Sequence, residues 1–488
     1  MHKNSFFLFL LSLLFTECSI AKKGIIESNQ EQAIKYSKLI NKNDLFNDLS
    51  ILASDSLEGR ETAKAGQKKA AEYIKNHFIK NRIKSVFDTS YYQQYEVNII
   101  DFTNVSLTIN NQSLKLIEDF FVIGSPAQMK HQNIELVDVE YGLKNEKINN
   151  YSNKNVRGKV VMVKDGLPEN KEDFLISEGS WRNKVKTAKE KGAIAVLLIK
   201  SNFNKENKRI KDHILNPRMK MHNSKKIIEK EIPLFYISDD YVSKLETLKN
   251  NTVSFHTSVN NVALAENVLG YIPGKNPDEV LVLSAHYDHI GFDQGEVCNG
   301  ADDDGSGTAA LLSISKAFQN AYESGHQPER SILFLSVSGE EKGLFGSKYY
   351  TDNPVFELTK TMANLNIDMV GRRDTIQKND NYIYLIGSDK ISKDLHEINE
   401  QINNNHIGFN LDYTYNNDSD PNKFYYRSDH YNFAKNNVPV IFYFGGLHED
   451  YHKPTDQIDK INFRKLEKVS QYVFLTAWEL ANRKESLK

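Results

Sequence analysis

Residues able to bind a cation or move a proton crowd into one stretch of this chain, Leu281 to Ser347. Two short apolar runs, Leu281–Ser284 and Ile332–Val337, end directly in such residues, the first in SAHYDHIG and the second in SGEEKGLFGS. Between them Asp302, Asp303 and Asp304 stand in a row before Gly305, Ser306 and Gly307. Adjacent carboxylates repel one another and need a cation or strong donors close by, so a metal is the first chemistry to expect.

Five positions with ligand chemistry follow predicted strands or sit in adjoining loops: His286, Asp303, Glu341, Asp368 and His452. Mixed imidazole and carboxylate ligation suits zinc, or another borderline divalent ion, better than calcium or magnesium. Two ions sharing one carboxylate would use this number of ligands and leave positions for water and substrate. Asp303 is the natural bridge, because GADDDGSG presents it at a glycine-rich turn that opens a helix, whose N-terminus favours negative charge. Taken singly, each residue has an ordinary explanation. A His after a strand commonly serves a hydrogen bond, a Glu pair lies on a wet helix face, and Asp368 could cap a helix. Their co-occurrence is what argues for a site.

The elements that must position these residues alternate regularly from Asn267 onward. NVLGYIP, EVLVLSAH, ILFLSVS, ANLNIDMV, YIYLIGS and VPVIFYFG have the composition of strands; TAALLSISKAFQNAY and KDLHEINEQINNN have helical spacing. That order predicts an α/β fold, an open, mixed and mostly parallel sheet with helices on both faces. Such sheets carry function at the carboxyl ends of their strands, which is where the ligand-type residues fall.

Upstream, IKYSKLINKNDLFNDLSILAS and QKKAAEYIKNHFI are helical, joined by LEGRETAKAG, which reads as a polar connection. YYQQYEVNII and NVSLTIN alternate as strands, with Asn110-Asn111 as a hairpin turn. Residues 123–257 form a separate β/α unit, with GKVVMVKDG, AIAVLLI and IPLFYIS as buried strands and WRNKVKTAKEKG as a helix. The Lys-rich KENKRIKDHILNPRMKMHNSKK reads as a solvated excursion.

Length and composition set the outer limits. At 488 residues the chain exceeds what one core holds. Its 40% hydrophobic and 26% charged residues are those of a globular protein, and a net charge of -2 gives no electrostatic reason to bind nucleic acid or an anionic membrane. Lys3 followed by FFLFLLSLLF and Ser19-Ile20-Ala21 has the pattern of a signal peptide over 1–21, too short to span a membrane. Export to the periplasm or medium is therefore expected. Lipid anchoring through Cys18 is disfavoured by Glu17 before it. Cleavage at Ala21 would leave Cys298 as the one cysteine, with no internal disulfide and a packing role.

The segments SAHYDHIG, NGADDDGSGTAALL, SGEEKGLFGS, LNIDMVGR, RSDHYNFAKNNVPVIFYFG and HEDYHKPTDQIDKI, in this order, resemble the signature series of the secreted co-catalytic di-zinc exopeptidases. That family includes bacterial aminopeptidases, glutamate carboxypeptidases and glutaminyl cyclases. LASDSLEGRETAKAG resembles the N-terminal segment of exported bacterial members, and the β/α unit resembles the protease-associated domain inserted in many of them.

The resemblance implies residues 22–122 and 258–488 as the peptidase, with 123–257 as the insert. It implies Asp303 bridging two zinc ions, His286 and Asp368 completing one site, and Glu341 and His452 the other. Asp288 would orient the His286 imidazole, Glu340 would be general base and acid, and Tyr451 would donate to the oxyanion. A cis bond between Asp303 and Asp304 is expected as well.

The implied activity is removal of N-terminal residues from peptides through a metal-bridging hydroxide. Its rivals are a glutamate-carboxypeptidase-like or dipeptidase activity, for which Arg372, Arg373 and Arg427 could bind a terminal carboxylate, and a receptor-like binding protein on the same fold, which would be expected to have lost ligands.

Overall fold

The computed structural model describes residues 29–487 apart from 125, 170–174, 201, 216, 223–230 and 244–250. The expected signal segment 1–21 lies outside the described residues. Among these residues no helix is long and apolar enough to cross a membrane. The chain divides into two compact units, one of residues 1–95 with 264–488 and the other of residues 96–263.

In the first unit the strand Asn276–His286 is central, parallel to Arg330–Val337 on one side and to Thr361–Asp368 on the other. Thr361–Asp368 continues the parallel pairing to Val440–Phe444, beyond which Tyr382–Ile386 runs antiparallel. Val268–Ile272 pairs antiparallel with Arg330–Val337. The sheet is thus mixed, with a parallel centre.

The apolar runs of these strands alternate between two cores. Leu281, Leu283, Ile332 and Phe334 pack with the helices Lys42–Leu52, Ala65–Lys80, Gly307–Glu323 and Phe463–Asn482. Val280, Val282, Leu333 and Leu335 pack on the opposite face with Tyr350 and Phe433, from the short helices Phe345–Asp352 and His430–Ala434. A period of two in the side chains and helices on both faces explain why these strands are apolar throughout. The larger core includes an aromatic stack, Phe318 lying 4.4 Å from Phe474 between ring centroids.

In the second unit, Met129–Asp138, Val160–Lys164, Ala195–Lys200 and Leu234–Ser238 form a parallel series. Its boundaries are wider than 123–257. Val105–Ile109 pairs with Thr252–Thr257, and Phe120–Ile123 pairs with Leu234–Ser238, so residues 96–122 belong to this unit and not to the peptidase part. Leu107 and Ile109 are buried in its core, which a solitary strand could not achieve. Asn110 and Asn111 do make the expected hairpin turn, both with positive φ, 52° and 64°.

The Lys-rich segment is likewise more ordered than an excursion. Phe203–Leu215 is a helix whose Phe203 and Ile214 are buried, and Arg218–Met221 is a strand.

Candidate metal centre

The parallel strands end where their sequence promised. His286 closes one strand, Asp368 another, and Glu340 with Glu341 follows Val337 after a two-residue turn. The acidic triplet begins the turn ahead of helix Gly307–Glu323, and the Asp303–Asp304 peptide bond is cis, as the resemblance implied.

The three aspartates have separate tasks. Asp302 Oδ1 accepts from the Gly371 N–H at 2.6 Å, while its Oδ2 lies 3.3 Å from His448 Nε2. Asp304 Oδ1 accepts from the N–H groups of Gly307 and Met369, at 2.9 and 3.0 Å. A side chain at Gly307 would strike Asp304, its Cβ only 2.4 Å from that oxygen. Asp303 turns its two oxygens to different imidazoles. Oδ1 is 3.4 Å from His286 Nε2 and Oδ2 is 3.1 Å from His452 Nε2.

Asp368 Oδ1 lies 3.5 Å from His286 Nε2, and Glu341 Oε2 lies 3.0 Å from His452 Nε2. The five expected ligands therefore meet in one place. Two groups that overlap this set, each adding one residue outside it, have ligand atoms all within 4.8 Å of one another: His286, Asp304 and Asp368; and His289, Asp303 and Glu341. His289 was not among the expected residues. It is wholly buried, with Nδ1 2.9 Å from Glu341 Oε1 and 3.7 Å from Asp303 Oδ2. A second His three residues after His286 in SAHYDHIG was the available signal.

These groups fit a divalent metal by their unmet demand. Among the described residues, Asp303 Oδ2, Asp304 Oδ2, Glu341 Oε1, Asp368 Oδ1, His289 Nδ1 and His452 Nε2 are buried without an aligned hydrogen bond. Native interiors leave few polar atoms in that state, and six converging on one spot is the pattern of a cation site. The imidazole and carboxylate donor set is one that zinc favours.

Supporting residues fix the ligands. His286 Nδ1 lies 3.1 Å from the Asp288 carbonyl oxygen, which directs Nε2 toward Asp303 and Asp368. The Asp288 carboxylate is further from that ring, at 3.8 Å. It accepts instead from Thr62 Oγ1 at 2.7 Å and from the Glu340 N–H at 3.2 Å, so it joins the two ligand loops. Behind Asp368, Ser428 Oγ donates to Oδ2 at 2.6 Å and accepts from Asn366 Nδ2, whose Oδ1 accepts from Ser284. Asp456 accepts the N–H groups of Asp302 and Asp303, tying the His452 loop to the acidic turn.

LEGRETAKAG is more than a connection. The Arg60 guanidinium is buried and donates to the carbonyls of Leu52, Tyr287, Asn299 and Gly300. Tyr287 separates His286 from Asp288, and Gly300 leads into the acidic turn, so one side chain braces both. Gly59 (φ 64°) lets this bend approach, since a Cβ there would sit 2.2 Å from the Gly291 carbonyl oxygen.

Charge follows from these contacts. Burial would raise the Asp303 carboxyl, but the facing His286 and His452 outweigh it and hold it well below the usual carboxylate range. Glu341 is held at about 2, with His289 and His452 overcoming burial and the Asp303 charge. Glu340 goes the other way. Burial pushes it well above the ordinary value, His286 opposes this, and Glu341, Asp429 and Asp368 add to it.

Glu340 and Tyr451 line one pocket with His286, Asp303 and Asp368. The Tyr451 ring stacks on His452, 3.8 Å between centroids. Of the arginines considered for a carboxylate pocket, Arg372 is engaged by Asp450 at 3.0 Å and Arg373 points at the Lys378 carbonyl, whereas Arg427 lies at this pocket. Cys298 is buried and unpaired, in keeping with packing.

Residues 267–477 match the family described as Peptidase family M28, and residues 133–240 match the PA domain. Leupeptin-inactivating enzyme 1 of Streptomyces exfoliatus is 30% identical over 224 residues, 46% of this chain and 45% of that one. Aminopeptidase YwaD of Bacillus subtilis is 28% identical over 336 residues, 64% of this chain and 63% of its own. The chain therefore spans less than two thirds of the length of these curated relatives. An aminopeptidase from Aneurinibacillus sp. strain AM-1 shares the fold, with a TM-score of 0.50 at 17% identity over 93% of this chain and 97% of that one. An ordered series of motifs thus converges on one centre within residues 267–477, the span that is similar to Peptidase family M28, and the span similar to the PA domain lies ahead of it.

Proposed function

We propose that this chain is a di-zinc aminopeptidase, exported by way of its N-terminal segment, that removes N-terminal residues from peptides. The observation that carries the reading is Asp303, whose two oxygens face His286 on one side and His452 on the other. That is the disposition of a carboxylate shared by two ions. Asp368 then completes the site of His286, and Glu341 the site of His452. Asp304, drawn to the first group by distance, has one oxygen committed to two backbone N–H groups and serves as an anchor for the turn.

Zinc held there would supply Lewis acidity, lowering the pKa of water and polarising the scissile carbonyl. The protein's own part is to position and to move protons. Glu340 lines the pocket without being drawn into either ligand group, and its raised proton affinity suits it to take a proton from the attacking water. It then returns that proton to the departing amine nitrogen, so acid and base are one group at successive moments. Tyr451 at the same pocket is kept protonated by burial and by the charges of Asp303, Glu341 and Glu340, and can donate to the developing oxyanion. Asp288 aligns the Glu340 backbone with the His286 loop rather than touching substrate.

The test is a panel of aminoacyl p-nitroanilides beside N-acyl dipeptides, run on purified protein with its metal content measured. Turnover of the free-amine substrates with two zinc ions per chain is expected. Cleavage confined to the acylated series would replace this reading with the carboxypeptidase one, and binding without any turnover would favour a receptor.

A further inference from the structure

The pocket that holds Glu340 has two chemically opposed parts. Its floor is apolar and aromatic, with Met369, Phe424, Phe442 and Phe444 each 2 to 3% exposed. Arg427 is exposed at its rim, the guanidinium 4.8 Å over the Phe424 ring. Stacking holds the planar group without using its N–H donors.

Among the described residues no carboxylate or carbonyl engages those donors. Four other arginines of this unit are engaged, Arg60 by four carbonyls, Arg82 by Glu323, Arg330 by Glu279 and Arg372 by Asp450, while Arg483, whose Nε and Nη1 also lack a hydrogen bond, does not line this pocket. A cation left without a partner beside a pocket whose other charged groups are carboxylates has a fork of donors ready for a carboxylate from outside.

Its placement limits where that carboxylate can be. Arg427 directly precedes Ser428, the residue that holds Asp368, and its own backbone N–H donates to the Phe424 carbonyl at 3.0 Å. The Arg427 backbone is therefore tied to the Asp368 side of the centre, and its guanidinium, over Phe424, lies at the pocket that His286, Asp303 and Asp368 also line. If an apolar N-terminal side chain occupies the aromatic floor, the rim faces the residue beyond the bond being cut.

Resting on the aminopeptidase reading, we propose that Arg427 binds a substrate carboxylate just past the scissile bond. The substrates so selected are short peptides with a free α-carboxylate, or peptides with an acidic side chain in the position after the bond.

Two substrate pairs separate these sources: leucylglycine against leucylglycinamide for a free α-carboxylate, and Leu-Asp-NH2 against Leu-Asn-NH2 for an acidic side chain. Each is assayed on the zinc-loaded wild type, Arg427→Gln and Arg427→Lys, with leucyl p-nitroanilide alongside. The wild type is expected to favour the carboxylate member of at least one pair by about fivefold in kcat/KM, the size of one exposed charge pair. Arg427→Gln should bring that ratio to about one through KM, and Arg427→Lys should keep part of it. A flat ratio in both pairs, or a preference that survives Arg427→Gln, overturns the proposal while p-nitroanilide turnover leaves the aminopeptidase reading standing. No p-nitroanilide turnover by the wild type overturns both.

Discussion

His289 Nδ1 lies 2.9 Å from Glu341 Oε1, both atoms buried and neither with an aligned hydrogen bond. The ring also approaches Asp303, and its backbone N–H donates to the Arg60 carbonyl at 3.2 Å, so it cannot easily turn away. An imidazole so confined supports the His452 side of the centre, as a further donor or by holding Glu341 and Asp303 in place. His289→Asn is expected to lower zinc affinity on that side by roughly tenfold to a hundredfold. Competition with a chromophoric chelator reads this directly: one ion should leave early and the second at the wild-type concentration. Identical release curves would assign His289 to packing alone.

Glu340 and Glu341 are neighbours in sequence whose carboxyls shift in opposite directions, in keeping with the proposed roles of proton carrier for the first and metal ligand for the second. Glu340→Gln should keep both zinc ions and lose about 10²- to 10⁴-fold in kcat. Glu341→Gln should instead lose metal. Near-normal turnover by Glu340→Gln, with its metal content intact, would remove Glu340 from proton transfer.

Asp303 is the point on which the two-ion reading turns. Asp303→Ala should bind neither ion tightly, whereas Asp368→Ala should lose chiefly one. Elemental analysis of the dialysed proteins distinguishes them. Two ions retained by Asp303→Ala would show that the sites are independent and that no carboxylate is shared.

Arg60 gives a stability prediction with a visible cause. Arg60→Met leaves four carbonyls, three of them beside the ligand loops, without their donor. Each unmet buried group costs about 1–3 kcal/mol, and partial relaxation leaves an expected net loss of roughly 3–5 kcal/mol. Denaturant unfolding of the metal-free proteins measures it. A loss below about 1 kcal/mol would mean that the carbonyls find other partners.

That brace also shows what could be read from the sequence and what could not. EVLVLSAH and ANLNIDMV declared both strand and ligand, because an apolar run and its terminal His or Asp are contiguous. Arg60 acts on Tyr287, Asn299 and Gly300 from more than two hundred positions away, and nothing local to LEGR records those carbonyls. The insert's boundary was hidden for the same reason: Val105–Ile109 completes its sheet by pairing with Thr252–Thr257. In the Lys-rich segment charge dominates the composition, while Ile210 and Ile214, with Phe203 just ahead of the segment, pack the helix against the core. His289 was overlooked because His286 and Asp288 already satisfied the pattern around it.

His430 links stability to pH. Its ring is fully buried, stacked on Phe442 at 4.7 Å, and burial pushes it down to about 3, with the Tyr425 backbone opposing. In the unfolded chain an imidazole titrates near about 6.5. Below that pH the unfolded state takes up a proton that the folded state refuses until about 3. Its contribution to stability is therefore complete above about 6.5 and is lost as pH falls through that window, by at most about 1.4 kcal/mol per pH unit. His430→Phe preserves an aromatic ring for Phe442 and removes the proton. The difference in unfolding free energy between variant and wild type should move in favour of the variant as pH drops from 6.5 to 4, and comparing the two cancels the many carboxylates that titrate in common. A difference that stays constant over this range would mean that the imidazole is charged in the folded protein, with its proton held by a partner inside the aromatic cluster.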